Sequence, residues 1–265
     1  MSNTIFYFTG TGNSLKIAKD IAGYLPDFNV IAMAKCISNI HELKPEGAVG
    51  FVFPVYYCGM PQIVRDFLNR LDLSNVNYIF LAAAYAKAGG AGGCISQANH
   101  ILEKRGKRLN SGFYIKTVDN FILWTWDVPS VKKHSAIHEA AAEKAIKMAG
   151  IVEERKEYIE VSPMEYLGPV LFGYRNFIKH VNASDKSFIA TESCNSCGLC
   201  AKVCPVRNID FQNNKPEWKG RKCQRCLACL HLCPKISIQY GQITKKRHRY
   251  KNPYITNNHL FYENL

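Results

Sequence analysis

No stretch of this 265-residue sequence approaches the ~18 uninterrupted apolar residues that a membrane-crossing helix needs. The opening residues, MSNTIFYFTG, have no basic stretch ahead of an apolar segment, so a secretory leader is not expected. A soluble protein of the cytoplasm is the expectation. Acidic residues are scarce: 21 Asp and Glu stand against 34 Lys and Arg, a formal charge of +13. Basic charge alone is weak evidence for nucleic acid, and docking of acidic protein partners is the better reading of it. His134, His138 and His231 have no partners at metal-ligand or triad spacing and read as surface or packing residues. No acid–base or nucleophilic group is assigned. With 47% hydrophobic residues the chain can bury a substantial core, in one large domain or two.

Cysteine is plentiful, and it is patterned. Cys194, Cys197, Cys200 and Cys204 are followed at once by Pro205; Cys223, Cys226, Cys229 and Cys233 are followed by Pro234. Each run reads C-x₂-C-x₂-C-x₃-C-P, the spacing of a bacterial-type ferredoxin with two [4Fe–4S] clusters. A zinc ribbon usually carries two C-x₂-C pairs rather than two runs of four. In the ferredoxin pattern the fourth cysteine of each run serves the other cluster. One cluster is therefore expected on Cys194, Cys197, Cys200 and Cys233, the other on Cys223, Cys226, Cys229 and Cys204. Cys36, Cys58 and Cys94 remain outside the pattern, a usage that fits a reducing compartment. Each thiolate-held cluster carries about −2, so two would remove roughly four of the positive charges.

The first half alternates strand and helix signals. Residues 3–8 form a short apolar strand that runs into Thr9-Gly10-Thr11-Gly12-Asn13-Ser14, and a helical pattern follows with Leu15, Ala18, Ala22 and Leu25 on one face. Such a loop offers backbone N–H groups, a helix dipole and hydroxyl donors to an anion. It lacks the Lys of a P-loop and the G-x-G-x-x-G register, which argues against ATP and NAD. Strands are expected at 29–33, 48–53 and 78–84, and helices at 61–71 and 95–104. That alternation implies a doubly wound parallel sheet with ligands outside the carboxyl ends of its strands. Two further strand ends lie there: Pro54-Val55-Tyr56-Tyr57-Cys58-Gly59, and Ala84-Tyr85 leading into a glycine-rich stretch with Gly90 and Gly92. One phosphate loop and two loops of tyrosine and glycine suit a planar, phosphorylated aromatic ligand. Cys58 reads as a small loop hydrophobe.

In these three loops the sequence resembles flavodoxin. The resemblance implies FMN, with Thr9, Thr11, Asn13 and Ser14 on the phosphate and Tyr56, Tyr57 and Tyr85 near the ring. The tryptophan often found in the middle loop is absent, so which tyrosine stacks stays open, and Trp124 and Trp126 are candidates to contribute. Taken whole, the chain resembles the flavodoxin–ferredoxin fusion proteins. Asn120 sits where that family carries a Met-Pro-x-Asn-type stretch; Thr117-Val118 replaces Met-Pro here, and only Asn120 is carried over.

The domains implied are a flavodoxin-like unit at 1–160, a connector at 161–184, an α+β two-cluster ferredoxin at 185–241, and a basic tail at 242–265. Residues 136–158 are expected to be the last helix of the first domain. Residues 164–181, aromatic and aliphatic, read as a packed connector helix or as an aromatic lining over the flavin. Trp218 reads as core cover. The tail, with Thr244–Tyr250 at its start, reads as a solvated basic face or as a docking segment. The expected function is electron transfer between FMN and two [4Fe–4S] clusters, converting between one- and two-electron carriers. The alternative is reduction of a small molecule on the flavin, fed by the clusters; nucleic-acid binding through the tail ranks third. A homodimer stays open.

Overall fold

A computed structural model describes residues 2–87, 91–124, 126–167, 170, 173–220 and 222–262. Five parallel strands carry the first half: β1 (Thr4–Tyr7), β2 (Asn29–Ala32), β3 (Gly47–Pro54), β4 (Val76–Tyr85) and β5 (Ser111–Lys116). A two-residue β6 (Tyr158–Ile159) extends the sheet, whose order is β2-β1-β3-β4-β5-β6, every pair parallel. The order 2-1-3-4-5 is the flavodoxin-like doubly wound arrangement, with its switch point between β1 and β3. The strands are apolar on both faces because helices cover both. Helices α1 (Asn13–Tyr24) and α5 (His134–Glu153) pack on one side, through Leu15, Ile17, Ala18, Ile21, Ala145, Met148 and Ala149. Helices α3 (Gln62–Arg70) and α4 (Cys94–Glu103) cover the other, through Ile63, Val64, Phe67, Leu68, Ile95, Ala98 and Leu102. A short α2 (Met33–Cys36) follows β2.

Two elements end differently from the sequence expectation. α5 stops at Glu153 rather than continuing to 158, because Arg155 takes a left-handed turn (φ 52) that frees Tyr158 and Ile159 to pair with β5. Within 164–181 the described helical residues are α6 (Tyr174–His180) and Val170, and Leu171 and Phe172 lie outside the described residues.

The cysteine-rich half is small and doubled. It comprises β7 (Phe188–Ala190), α7 (Leu199–Lys202), the hairpin β8 (Ile209–Gln212) and β9 (Lys215–Trp218), α8 (Ala228–His231) and β10 (Ile238–Tyr240). β7 pairs with β10 and β8 with β9, both antiparallel. A 29-residue step relates the two cysteine runs, and the backbone repeats with it. Ser196 and Arg225, Gly198 and Leu227, and Arg207 and Ile236 all adopt positive φ, at the same three places in each run. Left-handed backbone is unfavourable for leucine and more so for isoleucine, so the cysteine loops impose it against local preference. Trp218 stacks on Phe188 at 5.7 Å and covers this core, which also takes in Ile122 and Leu123 from the segment after β5.

The tail is not a solvated basic arm. Tyr250, Asn252, Ile255, Leu260 and Tyr262 are all buried. The chain folds back over α1, and Tyr262 N–H donates to the Lys202 carbonyl at 2.8 Å. Among the described residues no helix is long and apolar enough to cross a membrane.

Candidate functional site

A cavity of about 380 Å³ opens at the carboxyl ends of β1, β3, β4 and β5. Its first wall is the loop between β1 and α1. Gly12 takes φ 103 there, and its N–H bonds back to Thr9 Oγ1 at 3.1 Å. No side chain caps α1, so its first-turn N–H groups and the positive end of its dipole are left for an anion. Ser14 Oγ is buried with no hydrogen-bond partner, as a donor reserved for a ligand would be. Thr9 and Thr11 complete this wall. Asn13 lines it too, but its side chain is spoken for. Its Nδ2 donates to the Val118 carbonyl at 3.0 Å, and its Oδ1 accepts from Tyr250 Oη at 2.6 Å and Asn252 Nδ2 at 3.1 Å.

The second wall is Pro54–Cys58. Tyr56 and Gly59 exchange both backbone hydrogen bonds across a two-residue turn in which Tyr57 (φ 51) and Cys58 (φ 59) are left-handed. That turn sends the two tyrosines to different places. Tyr56 packs edge-on to Phe8 and Phe177, while Tyr57 stacks on Phe177 at 4.5 Å and meets Phe121 and Trp124 edge-on. Burial raises the Tyr56 phenol well above its ordinary value, keeping it neutral. Gly59 does not line the cavity; the Tyr174 ring would stand 2.3 Å from a Cβ there.

At the end of β4, Ala84, Ala86 and Lys87 line the cavity and Tyr85 does not. Strand alternation sends Tyr85 to the other face, against Tyr114. Gly92 sits under the Met164 carbonyl rather than on the cavity, and Gly90 lies outside the described residues. The fourth wall, Thr117–Phe121 with Trp124 and Trp126, follows β5. Asn120 Nδ2 donates to Thr11 Oγ1 at 2.7 Å, and its carbonyl accepts from His231 Nε2 at 2.7 Å. Lys87 Nζ lies 3.3 Å above the Trp126 ring and 3.7 Å from Asp119 Oδ2. Burial raises the Asp119 carboxyl, against the Phe121 N–H and Lys87.

The fifth wall takes Phe177 from the 164–181 stretch, for which an aromatic lining was one of the two expectations, together with Arg225, Cys226 and Leu227 of the second cysteine run, which the sequence did not point to. Gly10 is the reason they fit: a Cβ there would lie 2.3 Å from the Cys226 carbonyl oxygen. Of the two readings of the tail, a solvated basic face or a segment docked on the flavodoxin-like domain or on an acidic partner, the structure shows docking on the first half, through Asn252 N–H to the Thr11 carbonyl at 2.8 Å and Tyr250 Oη to Asn13 Oδ1 at 2.6 Å.

The structure sets cysteines of the two runs beside one another. Cys200 has Cys233 and Cys197 as electrostatic neighbours, and Cys226 has Cys204 and Cys223. Cys229 has Cys226, Cys223, Cys204 and also Cys200, so the third cysteines of the two runs lie between the groups. Backbone N–H groups point at the sulfurs: Asn208 at Cys204 (3.2 Å), Arg225 at Cys223 (3.3 Å) and Ser237 at Cys233 (3.3 Å). Burial pushes Cys200 up to about 12 and Cys223 up to about 11. Burial also acts on Cys233, but the Ser237 hydroxyl and neighbouring amides outweigh it and bring that thiol down. Holding such buried thiols as thiolates would take a positive countercharge, which a bound metal centre would supply. Among the described residues no three His, Cys, Asp or Glu side chains converge closely enough to hold a single ion. Cys197 is exposed at one end of the arrangement; Cys226 borders the cavity at the other.

Residues 186–234 match the family model for a 4Fe-4S dicluster domain. No curated protein matches the chain. Among solved structures, rubredoxin oxygen:oxidoreductase from the anaerobe Desulfovibrio gigas is similar at 16% identity over 58% of this chain, with a TM-score of 0.37. The match spans 36% of that protein's own length. A flavodoxin from the domain Archaea is 18% identical over 58% of this chain and 99% of its own, TM-score 0.35. Fusobacterium nucleatum flavodoxin bound to flavin mononucleotide is 13% identical over 58% and 98%, TM-score 0.39.

Proposed function

Because the chain joins a flavodoxin-like sheet to a 4Fe-4S dicluster domain, we propose that it relays electrons between FMN in the cavity and two [4Fe–4S] clusters on the eight cysteines. The observation that carries this reading is the shared wall: Cys226, a proposed cluster ligand, lines the cavity proposed for the flavin. FMN, when bound, supplies the exchange between one- and two-electron chemistry, and each cluster passes one electron at a time.

The protein's own groups do the rest. Ser14, Thr9, Thr11 and the open end of α1 hold the phosphate. Val55, Tyr56, Tyr57 and Ala84 flank the ring, and Phe177 backs the two tyrosines and keeps water from that side. Cys194, Cys197, Cys200 and Cys233 hold the outer cluster; Cys204, Cys223, Cys226 and Cys229 hold the inner one, against the flavin. The exposed Cys197 end faces partners, and the basic surplus favours acidic redox proteins there. Units at 1–160, 185–241 and an intervening connector fit this division.

Anaerobic purification should yield about eight iron, eight sulfide and one FMN per chain. Stopped-flow mixing with a one-electron reductant should show cluster bleaching before flavin bleaching. A flavin that never exchanges electrons with reduced clusters would overturn the relay.

A second reading, reduction of a small molecule on the flavin, is favoured by the open side of the cavity, where Trp124 is 53% and Trp126 38% exposed. It requires an acceptor that oxidises the reduced flavin at a saturable rate in the absence of any protein partner.

A further inference from the structure

Arg225 stands where the two halves meet over the cavity, and its surroundings do not balance its charge. It sits between Cys223 and Cys226 in left-handed backbone (φ 50), the place Ser196 takes in the first run. Its Nη1 donates to Tyr57 Oη at 3.1 Å, and its guanidinium carbon lies 5.9 Å from the centre of the Phe177 ring. Its Nε is buried with no acceptor, and among the described residues no carboxylate pairs with it. Leaving a buried donor unpaired costs roughly 1–3 kcal/mol, more for a charged group. The residue lines the cavity, so an incoming ligand is what would take that donor.

Resting on the flavin reading above, we propose that Arg225 is the group that holds the negative charge the flavin ring acquires on reduction. An oxidised isoalloxazine is neutral; two electrons from the clusters and one proton from solvent leave it an anion. A partly desolvated guanidinium beside it favours that anion. Tyr57, itself clamped on Phe177, fixes where the guanidinium points. The cation also belongs to the loop of the inner cluster, so reduction of that cluster and of the flavin draw on one charge, and the coupling is reciprocal.

The test is ligand binding to the clustered protein stripped of flavin, with four probes: oxidised and reduced FMN, and oxidised and reduced riboflavin. Arg225→Gln is expected to weaken reduced FMN about ten-fold or more relative to oxidised FMN, with the same bias for riboflavin. Arg225→Lys should recover part of it. In a redox titration each ten-fold bias lowers the flavin midpoint by about 30 mV. Should Arg225→Gln fail to fold, Tyr57→Phe keeps the charge but frees it, and a smaller bias of the same sign is expected. Equal weakening of both redox forms of FMN with riboflavin unaffected would make Arg225 a phosphate contact and overturn the proposal, as would no change at all. If the unaltered protein holds no FMN, the flavin reading fails beneath it.

Discussion

Gly10 leaves no room for a methyl group: its Cβ would meet the Cys226 carbonyl at 2.3 Å, and a carbonyl cannot rotate away as a long side chain can. Gly10→Ala should therefore separate the phosphate loop from the cysteine loop. A loss of about 1–3 kcal/mol in stability and at least ten-fold weaker FMN retention are expected, read by thermal melting and flavin fluorescence. The two ends of the cysteine arrangement should also respond differently. Cys197→Ser is expected to alter the outer cluster and slow reduction by a protein partner. Cys226→Ser is expected to remove the inner cluster's signal in low-temperature magnetic resonance and uncouple the flavin. His138 lies beside Tyr250, His134, Tyr254 and Lys16, and burial, then His134 and Lys16, lower its pKa. The unfolded chain then takes up this proton at higher pH than the folded one. The stability held by the neutral ring is complete above about pH 6.5 and is lost as pH falls below it. Melting curves between pH 7.5 and 5 should fall less steeply for His138→Gln.

At the level of elements, the strand–helix alternation was legible because both faces of the sheet are covered, which makes β1, β3 and β4 continuous apolar runs. The turn at 9–14 was legible because glycines and hydroxyls mark the passage from a strand to a helix. What was not legible was contact between distant segments. Nothing local in Tyr85 says that strand alternation turns it away from the cavity, and nothing in Asn13 says that Tyr250 and Asn252 occupy its carbonyl. The lysines and arginines of the tail left a solvated face and a docked segment both open; the burial of Tyr250, Ile255 and Tyr262 decides for docking. Tyr250→Phe removes the hydroxyl's hydrogen bond to Asn13 Oδ1 and should cost about 1 kcal/mol, with FMN held less tightly. Truncation after Arg249 should reduce FMN retention more than any single change in that segment.

At the level of the molecule, the two halves share a core as well as a cavity. Ile122 and Leu123 belong to the first half by sequence and to the cysteine-rich core by packing. Iron should thus support more than its own domain. Chelation of the holoprotein is expected to open residues 186–240 to protease, while circular dichroism retains the signal of the six-stranded sheet and its helices. FMN affinity should fall in the same experiment, because Arg225, Cys226 and Leu227 are part of its wall.

The buried tail sets an order of events. Thr9 and Asn13 precede Tyr262 and Tyr250, which bond to them, by 253 and 237 residues, and Thr11 likewise precedes its partner Asn252. The loop between β1 and α1 of a nascent chain thus lacks these partners until residues 250–262 have been added. By then both cysteine runs have emerged. On the relay reading, cluster insertion is expected to come before flavin capture, and expression in iron-starved cells is expected to yield a flavin-free form rather than a cluster-free flavoprotein, read by absorbance and metal content of the purified chain.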